Sequence, residues 1–110
     1  MAGQDFRFGI ASSASYLPRR AVTADELAAL CSIPADLVAA RYGVRRRHYA
    51  APDETSSAMA AWAAGQALAE AGWEPASLDV IVGACGVMEQ PIPGTAVLVQ
   101  RRLGLGSSGL

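Results

Sequence analysis

Leu78-Asp79-Val80-Ile81-Val82-Gly83-Ala84-Cys85-Gly86 is the stretch that decides the fold. Val80 to Ala84 shows no apolar/polar alternation, contains two valines and an isoleucine, and is bounded by Asp79 and Gly86. The pattern predicts a strand buried on both faces, which needs a layer above it and another below. The alanine-rich segment Thr55 to Gly72 delivers the chain to that strand, and from Ser56 to Ala71 only Glu70 is charged. It predicts a single helix stopped at Gly72 and buried nearly all round. One helix covers one side of a strand. The unit is therefore expected to be an interior piece of a layered α/β protein larger than these residues.

Working outward, Phe6 to Leu17 carries Phe8 and Ile10 on one face, continues through small residues and stops at Pro18, which suits a strand running into a turn. Thr23-Ala24-Asp25-Glu26 is a capping box that opens a short helix through Leu30. Pro34 is placed for a first helical turn, with Leu37, Val38 and Arg41 at helical spacing and Gly43 as the stop. Val44 to Tyr49 carries Arg45-Arg46-Arg47 and predicts an edge strand or extended loop. Pro52-Asp53-Glu54-Thr55 predicts a turn and helix start with its acids at the positive end of the dipole. After the central strand, Met88 to Thr95 is a loop stiffened by Pro91 and Pro93, followed by a helix from Thr95 to Leu103 with Gly104 as its end. The order β, α, α, β, α, β, α favours a mainly parallel sheet.

Composition narrows the function classes. The chain has 110 residues, one domain at most, and its 52% hydrophobic content excludes disorder over most of its length. Nine arginines and no lysine face ten carboxylates, for a net charge of -1, so nothing draws the whole chain to nucleic acid or an acidic membrane. The charge is uneven: residues 1–52 carry seven arginines against four carboxylates, and residues 53–110 carry two against six. Cys31 and Cys85 stand apart without CxxC pairing, so neither a metal site nor a disulfide framework is expected, and a reducing cytoplasm fits. No signal peptide or membrane span is expected.

Several local patterns coincide in order and spacing. Tyr16-Leu17-Pro18 with Val22-Thr23 and Glu26-Leu27, Arg41 to Arg47, Asp53 to Ser57, Ala71-Gly72, Leu78 to Val82, and Pro93-Gly94-Thr95-Ala96 with Gln100 and Leu103-Gly104-Leu105 together resemble the N-terminal third of the β-ketoacyl-acyl carrier protein synthase III family. The resemblance spans nearly the whole chain. It implies that residues 1–110 are the N-terminal portion of a thiolase-like fold layered αβαβα, an incomplete, mainly parallel sheet with flanking helices. It also implies an acyltransferase of fatty acid or polyketide priming that condenses an acyl thioester with malonyl carrier protein and works as a homodimer. In that chemistry a cysteine thiolate at a helix N-terminus attacks the thioester, because the helix end lowers its pKa and fixed donors hold the oxyanion. The family's cysteine, histidine and asparagine fall beyond Leu110, so no catalytic residue is expected in this chain and it should be inactive alone. The alternative is a non-catalytic split subunit or carrier-protein-binding remnant.

For the individual residues, the resemblance places Arg41 at the mouth of the tunnel that admits the pantetheine arm of acyl-CoA or acyl carrier protein, where a guanidinium pairs with phosphate. Leu37 stands where many members have a tryptophan that stacks on adenine, and Tyr42 where threonine is common. Losing that stacking costs on the order of 1 kcal/mol, which favours a carrier protein as donor. Met88 and Ile92 are placed to set acyl-chain length, Ile92 reaching across a dimer into the partner's acyl pocket. Neither a cofactor nor a metal is implied. Arg45-Arg46-Arg47 is a solvated face or a rim for docking an acidic carrier protein, with too small a phosphate footprint for nucleic acid. Cys85 is expected to be a small buried hydrophobe rather than a nucleophile. Cys31 merely ends a helix, and His48 belongs to an edge strand.

Overall fold

In the computed structural model, which describes residues 7–106, the order is β1 (Arg20–Thr23), α1 (Ala24–Cys31), α2 (Ala35–Tyr42), β2 (Arg46–Tyr49), α3 (Ser56–Ala71), a single 3-10 turn (Pro75–Ser77) and α4 (Thr95–Arg102). The helices begin and end where local chemistry dictates. Thr23 caps α1, its hydroxyl accepting from the Glu26 N–H at 3.2 Å, while Glu26 accepts from the Thr23 N–H at 2.9 Å. Pro34 caps α2, one position before the helical turn expected of it. Gly43 and Gly72 close α2 and α3 at φ +62° and +69°, where a side chain would be strained.

The strands differ from the sequence expectation. The ladder among the described residues is antiparallel, pairing Arg20 with Tyr49 and Val22 with Arg47. It is pinned by the His48 ring, whose Nδ1 lies 2.7 Å from the Pro18 carbonyl oxygen. Of the two stretches read as sheet strands, Phe6 to Leu17 and Val80 to Ala84, Phe6 lies outside the described residues; residues 7–17 and 80–84 join no ladder, and residues 9–18 and 79–86 make no backbone–backbone hydrogen bond among the described residues. Strand character survives only in the first. Ser12, Ala14, Tyr16 and Pro18 turn inward while their neighbours face solvent, the period of two of an extended chain.

That segment runs against the direction of α3. Ser12 Oγ donates to the Ala67 carbonyl at 2.6 Å, and the Tyr16 ring lies 4.8 Å from that of Trp62. The chain crosses the start of α3 over Glu54, which is 2% exposed. Glu54 Oε1 accepts from the Tyr16 hydroxyl at 2.7 Å and the Arg19 N–H at 2.9 Å, and Oε2 accepts from the Ala51 N–H at 2.8 Å. Arg19 also holds both oxygens of Asp53, at 2.7 and 2.9 Å. Glu54 therefore does not serve the α3 dipole as its position suggests, and the first turn of α3 contains no acid. Its carboxylate instead fastens residues 16–19 and 51 to one point.

The second apolar stretch lies over α3 and α4. Ser56 Oγ donates to the Val87 carbonyl at 2.7 Å, and a Cβ built on Gly83 would sit 3.1 Å from the Ala96 Cβ. Glycine at 83 is what admits α4 this closely. The outward side is bare: Val80 is 71% and Val82 90% exposed, and Phe8 and Ile10 exceed 90%. The expectation of burial on both faces therefore fails within these residues, because no described segment lies on the far side. Nor is α3 buried all round. Ser57, Ala58, Ala61 and Leu68 form its buried stripe, and Trp62 is 44% exposed. The Cα radius of gyration is 18.8 Å, against roughly 13 Å for a compact domain of this length.

Two outcomes follow. The Ala51 N–H and Tyr16 hydroxyl, with Arg19, hold the Glu54 carboxyl down at about 2. A group with a depressed folded pKa gives stability that is complete above its unfolded value and is lost as pH falls toward the folded one. Acid titration followed by Trp62 fluorescence should therefore show a loss of structure between the ordinary glutamate range and about pH 2, and Glu54→Gln should flatten it. Separately, the 110-residue chain alone should bind a hydrophobic dye and self-associate through its open strand edges; a dye-negative monomer by sedimentation contradicts this.

Candidate functional site

Two groups of side chains stand out as sites, one at the end of α2 and one on the loop before α4. The first is the end of α2. Val38, 2% exposed, anchors this helix, which packs on α1. Leu37 and Arg41, one turn apart, share a helix flank, and Tyr42 follows. All three are exposed. Arg41 sits in the last turn, where its charge suits the helix dipole, and has no carboxylate partner among the described residues. Its guanidinium can pair with an anionic ligand.

The second group is the loop from Cys85 to Gly94. Its hold on the body comes from the start of α3, where Ser56 bonds Val87; beside it Arg102 joins α4 to α3, reaching Ser57 Oγ through Nε at 2.8 Å and Thr55 Oγ1 through a terminal nitrogen at 3.4 Å. A polar cavity of about 410 Å³ lies here, lined by Ser57, Glu89, Gln90, Leu98, Arg101 and Arg102. The Ser57 and Thr55 hydroxyls hold the Glu89 carboxyl below its usual range, helped by the Arg102 charge. Met88 and Ile92 point outward, 55% and 87% exposed, and the Gln90 amide donates to the Ile92 carbonyl at 3.2 Å. No hydrogen bond, ion pair or ring contact among the described residues joins this loop to Leu37, Arg41 or Tyr42.

Cys85 departs from expectation. Its thiol is exposed, not buried, beside a cavity of about 280 Å³ that Ser56, Thr95 and Ala96 also line. The Thr95 hydroxyl above all, then the Val87 backbone and Ser56, pushes its pKa down. Thr95 Oγ1 is itself buried without a hydrogen-bond partner. His48 is committed to the Pro18 carbonyl in the hairpin, and the charge that acts on this thiol is that of Glu89, which works against its ionisation. Among the described residues no three His, Cys, Asp or Glu side chains are grouped to hold a metal ion. Sequence reasoning missed Arg102 and Ser57, because a serine near a helix start and an arginine near a helix end each satisfy a local rule and give no sign of their mutual bond.

Comparison with known proteins places this geometry. No family model matches the chain. It superposes on 3-oxoacyl-[acyl-carrier-protein] synthase III of Aquifex aeolicus VF5 with TM-score 0.84 at 32% identity, over 91% of this chain and 32% of that one. The described residues are thus part of a thiolase-like α/β fold. The chain is also 45% identical over 98 residues to β-ketoacyl-[acyl-carrier-protein] synthase III of Methylococcus capsulatus, which is 89% of this chain and 30% of the relative. It is 38% identical over 100 residues to the acetoacetyl CoA synthase NphT7 of Streptomyces sp. (strain CL190), again 30% of that protein's length. Over this stretch the chain is similar to β-ketoacyl-acyl carrier protein synthase III proteins. It spans about 30% of the length of the curated relatives it matches.

The Cys85 surroundings predict a reactivity change. Thr95→Val removes the buried, unpartnered hydroxyl that lines the same cavity as the thiol and lowers its pKa, so the thiol pKa should rise and alkylation by iodoacetamide near pH 7 should slow severalfold. Unchanged kinetics in a Cys31→Ser background would show that Thr95 does not act on this sulfur.

Proposed function

We propose that residues 1–110 are the N-terminal part of a β-ketoacyl-acyl carrier protein synthase III-like acyltransferase, which condenses an acyl thioester with malonyl carrier protein. The nucleophilic cysteine and its histidine and asparagine partners come from polypeptide beyond this stretch, and the chain alone is inactive. The observation that carries this reading is the sequence likeness over 89% of the chain. The bare outer side of Val80 and Val82 supports it, since it calls for further layers.

In this reading Arg41 meets the phosphate of the incoming pantetheine arm, and Leu37 and Tyr42 flank it. Without an aromatic platform at Leu37, acyl carrier protein is the favoured donor and acyl-CoA the weaker one. Met88 and Ile92 form part of the acyl pocket, Ile92 across a homodimer interface. No resident cofactor is invoked, because the thioester already carries an activated acyl group. The protein works in the cytoplasm; no helix among the described residues is long and apolar enough to cross a membrane.

Reading the coding frame past Leu110 tests the assignment: continuation into a strand and a cysteine-led helix supports it, and a stop codon overturns it in favour of a non-catalytic subunit. In the complete synthase, Arg41→Glu should lower kcat/KM for acyl-CoA by about tenfold or more, the order expected for losing a charge-assisted phosphate bond. Ile92→Gly should move the acyl-chain preference. An unchanged preference across an acyl-CoA series removes Ile92 from the pocket.

A further inference from the structure

The cavity of about 280 Å³ beside Cys85 is enclosed by small apolar groups, Ala60 and Ala64 from α3, Gly83 from the stretch before the loop, and Ala96 from α4. Three polar side chains interrupt that lining: Ser56, Cys85 and Thr95. Two of them are already engaged. The Ser56 hydroxyl donates to the Val87 carbonyl at 2.7 Å, and the Cys85 thiol donates to the same oxygen at 3.1 Å. Thr95 is different, because its Oγ1 is buried and makes no hydrogen bond. Nor does it cap α4, a place that belongs to Gly94. A buried hydroxyl left unpaired is costly and calls for a partner. One water needs only about 10–15 Å³ and two to four polar partners. This cavity is many times larger, and its other polar side chains have given their hydrogens to Val87.

We infer that this cavity is a subsite for a short acyl chain carrying a hydroxyl group, with the Thr95 hydroxyl as the group that recognises the oxygen. That the ligand is an acyl chain rests on the function proposed above, whereas the preference for a hydroxyl rests on Thr95 alone. A threonine hydroxyl has one donor and two acceptor positions, all idle here, and a ligand hydroxyl uses both kinds at once. The alanines and Gly83 suit the hydrocarbon around it. No charged side chain among the described residues lines the cavity, so a carboxylate or an amine entering it would lose its water without gaining a partner. The exposed Cys85 thiol marks where the cavity meets solvent. A site built to bond a substrate hydroxyl rejects the analogue without one far more strongly than an apolar pocket tells two alkyl chains apart. Thr95 is thus a specificity residue of a different kind from Met88 and Ile92, whose side chains offer only apolar surface.

Two measurements on the complete protein test this. The first reads binding without catalysis, through the NMR methyl signals of Thr95 and Ala96 during titration with 2-butanol. They should shift saturably. Thr95→Val keeps the shape and removes the hydroxyl, so the affinity read from Ala96 should fall about tenfold, the loss expected for one hydrogen bond to a buried group, while Thr95→Ser should retain most of it. The second is the ratio of kcat/KM for a 3-hydroxybutyryl thioester to that for a butyryl thioester. Thr95→Val should lower this ratio by about tenfold or more, and Thr95→Ser should preserve it. No saturable shift overturns the subsite, the hydroxyl then being served by water alone. Equal 2-butanol affinity with and without the Thr95 hydroxyl overturns the role of Thr95. Binding that depends on Thr95 together with an unchanged ratio overturns the assignment to the acyl chain. If the unsubstituted protein transfers no acyl group at all, the proposed function has failed, and the 2-butanol titration alone decides whether the site exists.

Discussion

The arrangement of this chain depends on one buried anion. Glu54 is almost wholly removed from water, and a carboxylate in that position is tolerable only when its lone pairs are filled. Here they are filled by donors from three places, the Tyr16 hydroxyl, the Arg19 backbone and the Ala51 backbone. Removing any one leaves a lone pair of a buried carboxylate unfilled, which is costly, so the three are held together as a set. From that point the extended segment leads along α3 in one direction and the antiparallel hairpin leads away in the other. Arg19 reinforces the junction from outside through Asp53, but both of those side chains are more than half exposed, so their pair adds little by comparison.

What was legible in the sequence is what local rules determine. The capping box at Thr23 and Glu26, the left-handed stops at Gly43 and Gly72, and the extent of α3 all depend on residues within one or two turns of each other. What was not legible depends on partners far along the chain. Glu54 sits where a helix start welcomes an acid, and nothing in Pro52-Asp53-Glu54-Thr55 announces that the carboxylate turns to Tyr16, thirty-eight residues away. Val80 to Ala84 has the composition of a central strand, but composition records the neighbours a segment was selected beside and does not supply them. Within the described residues those neighbours are missing, so the segment joins no ladder. Cys85, expected inside, is exposed for the same reason.

The candidate site was legible in identity and not in connection. Arg41 with Leu37 and Tyr42, and Met88 with Ile92, were picked out by resemblance. The structure places the first three on one exposed helix end and the other two on one loop, with no direct bond between the groups. Coupling between an anion-binding mouth and an acyl-length gauge would therefore pass through the body of the protein, by way of α3, whose start holds the loop and whose flank carries the Tyr16 segment. The chain's charge is divided along the same line. The arginines gather on the α2 and hairpin side, and the loop side is acidic apart from the pair on α4.

Gly83 limits how such a site can diversify. Because the backbone there lies against Ala96, even a methyl group would press on the start of α4, and any shift of that start would carry through the helix to its distal arginine. Substitution thus has free play at the two protruding apolar residues of the loop, Met88 and Ile92, and very little at the glycine beside α4. Homologues that enlarge position 83 are expected to carry a compensating change at position 96.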